Sequence, residues 1–211
     1  MRVVYSNPKD HGLTMLEALV VVFSLFILVI TLLASVSAPR LRTALGCVSQ
    51  LKQTGQAFQA WEADHRGQFP MAVSVTNGGA MELVLRGDAA GVFQVLSNEF
   101  KSPKILVCPA DKASRSAAGF RLAGTNVSYF VNADSPGSNH SLLAGDANLS
   151  IGGARVPAGR LEVPSNQPVL WFPGRHKWYG NVGLTDGSVT GLGNSDLTRS
   201  LRSGASCLLI P

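Results

Sequence analysis

Residues 11–34 read HGLTMLEALVVVFSLFILVITLLA, and this stretch decides the architecture. No charged residue occurs from Ala18 to Pro39, and Glu17 and Arg40 bracket the run. A helix of that length covers about 30 Å, the thickness of a bilayer hydrocarbon core. Ser24, Thr31 and Ser35 interrupt it only mildly, because a hydroxyl inside a helix can donate to the helix's own carbonyls. The expectation is a transmembrane helix. A cleavable secretory signal has an apolar core of about 7–15 residues, shorter than this run, and Pro39 directly after Ala38 is a poor place to cut. The anomaly is Glu17, a carboxylate at the edge of a spanning segment, where an isolated charge is costly unless something answers it.

Working outward, the helical period continues past the membrane-length run. Leu41, Leu45, Val48, Leu51, Phe58 and Trp61 recur at three- and four-residue steps, with Gly55 on the same face and Gln and Lys between them. That pattern predicts an amphipathic helix over residues 40–68, ending at Gly67. Pro39 is expected to bend or locally melt the junction. After Pro70 the sequence changes character. Short apolar stretches (KILVCP, VSYFVN, SLLAGD, QPVLWF) alternate with Gly, Pro, Asn and Ser, which predicts strands joined by loops. MELVLRG and GVFQVLSNEF read equally as short helices or strands. GLTDGSVTGL reads as a hairpin turning on Asp186-Gly187 in a type I′ geometry.

Composition excludes more than it assigns. The net charge of +5 comes from scattered Lys and Arg, with no run of five basic residues. Nucleic acid is therefore not an expected partner. Of the four His and three Cys, no pair has Cys-x-x-Cys or His-x3-His spacing, so a zinc site is not expected. No nucleophile elbow, P-loop or His-Glu-x-x-His sequence occurs, so catalysis is not expected. Cys47 and Cys108 are the candidate disulfide, stapling helix to sheet in an oxidising compartment, with two buried thiols as the alternative. Cys207 has no assigned role beyond packing.

The segment Gly12-Leu13-Thr14-Met15-Leu16-Glu17 resembles the processing site of type IV pilins and type II secretion pseudopilins. The resemblance implies a leader over residues 1–12, cleavage after Gly12 by a prepilin peptidase on the cytoplasmic side, and methylation of the new N-terminus at Leu13. Leu13 stands where the family usually has Phe. Glu17 matches the family's fifth mature residue, implied to set register by meeting the Leu13 ammonium of a neighbouring subunit. Counting Lys and Arg on each side of the helix would by itself put the N-terminus outside, whereas the resemblance puts the leader in the cytoplasm.

A second resemblance lies in the head. His176, nine residues, then Asp186-Gly187 looks like the H-x9-DG element of a large group of prepilin-like proteins. CVSQLKQ from Cys47, CPAD from Cys108, SYFVN over residues 128–132 and LLAGDAN over residues 142–148 look like other motifs of that group, in the same order. Together these imply an α+β chain. A long N-terminal helix, with a transmembrane half over residues 13–39 and an amphipathic half over residues 40–68, packs on a small antiparallel sheet in a β-rich head over residues 69–211, its hairpin at residues 176–192. The implied protein is a structural subunit in the bacterial inner membrane with its head in the periplasm. Its implied partners are the peptidase, other pilin-like subunits and an assembly platform, and its product is a pseudopilus or pilus-like fibre.

The alternative is a membrane-tethered periplasmic binding module that does not polymerise, displaying Trp61, Trp171, Trp178 and Tyr179. No cofactor is expected. Calcium at Asp146 and Asp186 is the one candidate, since heads of the major pseudopilin type bind it through loop carboxylates, but two carboxylates are few for an ion that takes six to eight oxygens. The structural reading makes Asp186 the turn former and has His176 hydrogen-bond a backbone group in the loop before it.

Overall fold

A computed structural model describes residues 14–134 and 140–211, with the side chains of residues 34–42 and 44 left aside. Gly12, Leu13 and the expected leader lie outside the described residues. The chain divides into two units, Met1–Arg42 and Thr43–Pro211. Helix α1, Met15–Asp64, belongs to both.

In the first unit every described side chain from Met15 to Leu33 is exposed, and this segment is long and apolar enough to cross a membrane. Ser24 Oγ donates to Val21 O at 2.8 Å and Thr31 Oγ1 to Leu28 O at 2.9 Å, so neither hydroxyl is left unbonded in the apolar run. The helix continues through Pro39 and does not melt there.

The second unit is mixed helix and antiparallel sheet. α1 ends at Asp64, and Gly67 closes it with φ 74° and an N–H bonded to Glu62 O at 3.0 Å. MELVL and AAGVFQV are helical: α2 is Met81–Leu85 and α3 is Ala89–Val95, the latter started by Asp88, whose carboxylate accepts from Gly91 N–H. The stretch before Cys108 is not a strand. Ser102 accepts from Lys104 N–H and Pro103 fixes the first turn, so Pro103–Leu106 winds into a 3-10 turn and Cys108 follows in a loop.

Nine strands follow among the described residues: β1 Tyr129–Asn132, β2 Leu142–Asp146, β3 Leu149–Ile151, β4 Ala154–Arg155, β5 Gly159–Glu162, β6 Val169–Trp171, β7 Tyr179–Leu184, β8 Val189–Gly193 and β9 Cys207–Ile210. Helix α4, Asn194–Gly204, precedes β9. Six strands form one antiparallel sheet in the order β5-β9-β1-β2-β7-β8, and three form another in the order β4-β3-β6.

The six-stranded sheet is covered on both faces, which departs from the expected helix-on-sheet pair. Strand alternation sends Tyr129, Val131, Leu143 and Leu209 to one face, where they meet Cys47, Leu51, Phe58 and Trp61 of α1 and Phe93 of α3. Phe130, Leu142, Leu208 and Ile210 point the other way, onto Leu197 and Leu201 of α4 and Trp171 of β6. Burial on both faces is why β1, β2 and β9 are buried at every position and show no apolar–polar alternation, with Asn132 and Asp146 the polar residues at the ends of β1 and β2.

The 185–188 turn also differs from the expected type I′. Among described non-glycine residues only Arg66, His140 and Lys177 have positive φ, so Asp186 does not, and Gly187 alone takes it, at 79°. Asp186 Oδ1 accepts from Ser188 N–H and Oγ–H at 2.9 and 2.7 Å, which holds the turn in a different way. The turn docks on α1. Gln59 Nε2 donates to Thr185 O at 2.9 Å, and a Cβ on Gly55 would stand 3.5 Å from Gly187 Cα.

Candidate functional site

At the start of α1 the sequence Thr14-Met15-Leu16-Glu17 closes a capping box. Thr14 N–H donates to Glu17 Oε2 at 2.8 Å, and Glu17 N–H donates to Thr14 Oγ1 at 3.3 Å. Two of the amide donors that every helix N-terminus leaves without an intrahelical partner are satisfied reciprocally. Glu17 therefore has a job within its own chain, which the sequence reading missed although the Thr-x-x-Glu spacing carries it. Glu17 is exposed, as are the apolar residues that follow it.

In the head, the motifs scattered along the sequence converge on one buried network. Cys47 of α1 is bonded to Cys108, with Cα atoms 5.1 Å apart at a sequence separation of 61. His176 Nε2 lies 3.4 Å from Cys108 Sγ and 3.7 Å from Asp146 Oδ2. Asp146, at the end of β2, is fully enclosed. Its Oδ2 accepts from Asn181 N–H and Nδ2–H at 2.8 and 3.1 Å, while its Oδ1 has no hydrogen-bond partner. Burial pushes this carboxyl up, against the Asn181 bonds and the charges of His176 and Arg175. One atom from each of Cys47, Cys108, Asp146 and His176 lies within 4.8 Å of the others.

Around this centre lies a second layer of polar contacts. Arg175 pairs with Asp111 and donates to Ser128 O. Asp111 Oδ2 also accepts from Ser114 Oγ–H and Ser128 Oγ–H, each at 2.7 Å. Tyr129 donates from its hydroxyl to Gln50 Oε1 at 3.0 Å, and Gln50 Nε2 reaches Lys104 O. Burial pushes the Tyr129 phenol well up, and the nearby Asp146 charge adds to it. CVSQLKQ, CPAD, SYFVN, LLAGDAN and the residues around His176 thus contribute Cys47 and Gln50, Cys108 and Asp111, Ser128 and Tyr129, Asp146, and Arg175 and His176 to one place. Asn148 Nδ2 donates to Phe172 O at 2.9 Å at its margin.

His176 and Asp186 have separate partners. His176 faces the sulfur and Asp146, not a backbone group of the preceding loop. Asp186 sits at the hairpin turn with His140 Nδ1 at 2.6 Å. The two calcium candidates are therefore held apart by chemistry: Asp146 belongs to a sulfur- and nitrogen-containing cluster, and Asp186 is engaged by Ser188 and His140. Of the four aromatics proposed as a display surface, Trp61 and Trp171 are core residues, while Trp178 and Tyr179 are 59% and 48% exposed. Cys207 is buried in β9, and burial pushes its thiol up to about 11.

No family model matches the chain, and no curated protein or solved structure matches it.

Proposed function

We propose that this chain is a prepilin-type structural subunit, cleaved after Gly12, methylated at Leu13 and assembled through its N-terminal helix into a periplasmic pseudopilus or pilus-like fibre. The carrying observation is the exposed apolar surface from Met15 to Leu33, which holds Glu17 near its start and lies one residue after the Gly12-Leu13 sequence. Such a surface needs a cover. Lipid supplies it before assembly, and the helices of neighbouring subunits supply it in a fibre, so extraction exchanges one apolar environment for another.

Glu17 serves twice in this reading. Within its chain it caps α1. In the fibre its second oxygen and its charge meet the Leu13 ammonium of a neighbour, where low dielectric makes both charges costly alone. The head stands in the periplasm of a bacterial inner-membrane protein, a compartment compatible with the Cys47–Cys108 bond. The partners are the prepilin peptidase, an assembly platform and other pilin-like subunits.

A photo-crosslinking residue at Val22 or Leu25 tests the assembly role in cells that carry a type II secretion or pilus machinery. A ladder of multimers supports the fibre. Crosslinks to lipid alone contradict it and favour the second reading, a tethered periplasmic binding module, for which the exposed Trp178 and Tyr179 speak.

A further inference from the structure

The disulfide leaves part of its own surroundings without a purpose. Disulfide sulfurs are neutral and weak acceptors, yet the group packed beside them is a fully enclosed carboxylate. Both hydrogen bonds to Asp146 come from Asn181 and both fall on Oδ2, leaving Oδ1 with none. A buried polar atom without a partner is rare and asks for a ligand. Within 4.8 Å stand an imidazole nitrogen and two sulfurs. Tetrahedral zinc, with bonds of about 2.0–2.3 Å, places its ligand atoms about 3.3–3.8 Å apart. His176 Nε2 already stands in that range from Cys108 Sγ (3.4 Å) and Asp146 Oδ2 (3.7 Å), while the two bonded sulfurs have to part to reach it.

We propose that reduction of the Cys47–Cys108 bond converts this cluster into a closed four-ligand site for a zinc-class divalent cation, held by the two Sγ atoms, His176 Nε2 and an Asp146 carboxylate oxygen. A dithiol reductant delivers two electrons and two protons to the S–S bond and becomes a disulfide itself. Cation binding then displaces the two thiol protons to solvent, leaving two thiolates on the metal. Reoxidation by a disulfide oxidant withdraws the two electrons, reforms the bond and expels the cation. The two states exclude each other, because bonded sulfurs have no thiolate to give.

The rest of the site suits the role. Asn181 fixes the carboxylate from outside, as groups hydrogen-bonded to metal ligands do. Arg175 lies close enough for its charge to act on Asp146, which offsets the excess negative charge of two thiolates and a carboxylate around a divalent ion. His176, with 12% of its side chain exposed, gives the ion a way in. The four ligands come from α1, the loop after the 3-10 turn, the end of β2 and the loop before β7. Either the metal or the disulfide therefore ties helix to head, so the head keeps its staple in a reducing compartment and in an oxidising one. This inference does not depend on fibre assembly.

The test uses the full chain in detergent, oxidised or reduced anaerobically with a phosphine, titrated with Co²⁺ as a spectroscopic stand-in and then with Zn²⁺. The expected result for the reduced chain is one Co²⁺ per chain, with thiolate-to-cobalt charge-transfer absorption and intense tetrahedral d–d bands that Zn²⁺ abolishes. Zn²⁺ also raises the unfolding temperature of the reduced chain and not that of the oxidised one. His176→Ala and Asp146→Asn each weaken binding by more than about tenfold, and Cys207→Ser leaves it unchanged. A reduced chain that takes up no Co²⁺ overturns the proposal. So does equal binding by the oxidised chain, unaltered thiolate bands in Cys47→Ser, or a reduced chain that unfolds and stays unfolded with Zn²⁺. If Cys47→Ser does not fold, the wild-type redox comparison and His176→Ala decide the matter alone.

Discussion

Thr14 and Glu17 cap each other: Thr14 N–H donates to Glu17 Oε2 at 2.8 Å, and Glu17 N–H donates to Thr14 Oγ1 at 3.3 Å. The carboxylate that marks the edge of the membrane-length segment is thus also the residue that starts the helix. The cap is geometric and the proposed register role is electrostatic, and a pair of substitutions separates the two. Glu17→Gln keeps an oxygen that can accept from Thr14 N–H, because Gln also serves in capping boxes. Glu17→Ala loses both the cap and the charge. We expect both variants to be processed normally and both to be depleted from fibres, as measured by the sheared-fraction to membrane ratio. Normal incorporation of Glu17→Gln alongside failure of Glu17→Ala would reduce Glu17 to a cap.

Thiol counting reports on the head. The chain has three cysteines, two of them bonded to each other and the third buried with a raised thiol. Alkylation of the oxidised, folded protein should label none, since the thiolate is the reactive form and Cys207 holds little of it. Denaturation without reductant should expose one thiol, and denaturation with reductant should expose all three. Labelling of all three without reductant would remove the disulfide from the account.

Acid stability should follow Asp111. Burial alone would raise its carboxyl, but hydrogen bonds from Ser114 and Ser128, the Arg175 charge and the Ala113 N–H together hold it below the ordinary carboxylate range. The folded state then binds the proton less tightly than the unfolded state. The stabilisation is complete above the unfolded value near about 4 and is lost as pH falls through the lower folded value. Asp111→Asn leaves Arg175 enclosed without its counter-charge, so it should destabilise the head by about 3 kcal/mol at neutral pH. The difference from wild type should shrink as the pH drops below about 4. Denaturant melts of the detergent-solubilised protein across that range check both statements. A constant difference at all pH values would show that Asp111 acts by packing and not by charge.

Gly187 should be intolerant for two reasons that can be told apart. Its φ of 79° strains any L side chain, and a Cβ there would stand 3.0 Å from Gln59 Oε1 on α1. Gly187→Ala should destabilise by about 1–2 kcal/mol from the backbone alone. Gln59→Ala removes the steric part, so the double variant should lose less than the sum of the two single losses. Strict additivity would mean that the turn does not press on the helix.

The long helix was legible because its signals are local: an uninterrupted apolar run, a three- and four-residue period, and Gly67 at the end. β1, β2, β6 and the β7–β8 hairpin were legible as apolar stretches between turn residues. α4 was not, because only Leu197 and Leu201 are buried among Ser, Thr and Arg, a pattern that reads as loop until the sheet supplies the surface they cover. β9 was missed because its partners, β5 and β1, are far back in the chain, and no local signal says that the last strand will enter between them. The 3-10 turn at Pro103–Leu106 replaced a strand because Ser102 and Pro103 start a helical turn, a local cue weaker than the apolar run that follows. The head cluster is the extreme case. Cys47, Cys108, Asp146 and His176 come from four separate segments, and no spacing rule joins them. The resemblance to prepilin-like proteins named most of the residues but not that they meet, and it paired His176 with Asp186 in one element although the fold gives them different partners.

The central claim is that the chain matures at Gly12-Leu13 and polymerises from there. Intact-mass and N-terminal peptide mass spectrometry tests it most directly, on the full chain produced with and without a prepilin peptidase, alongside Gly12→Ala. The account requires a mature chain beginning at methylated Leu13 only when the peptidase is present, and no such chain from Gly12→Ala. A chain that keeps Met1 with the peptidase present, or one that begins near Ser35 or Pro39, would contradict it.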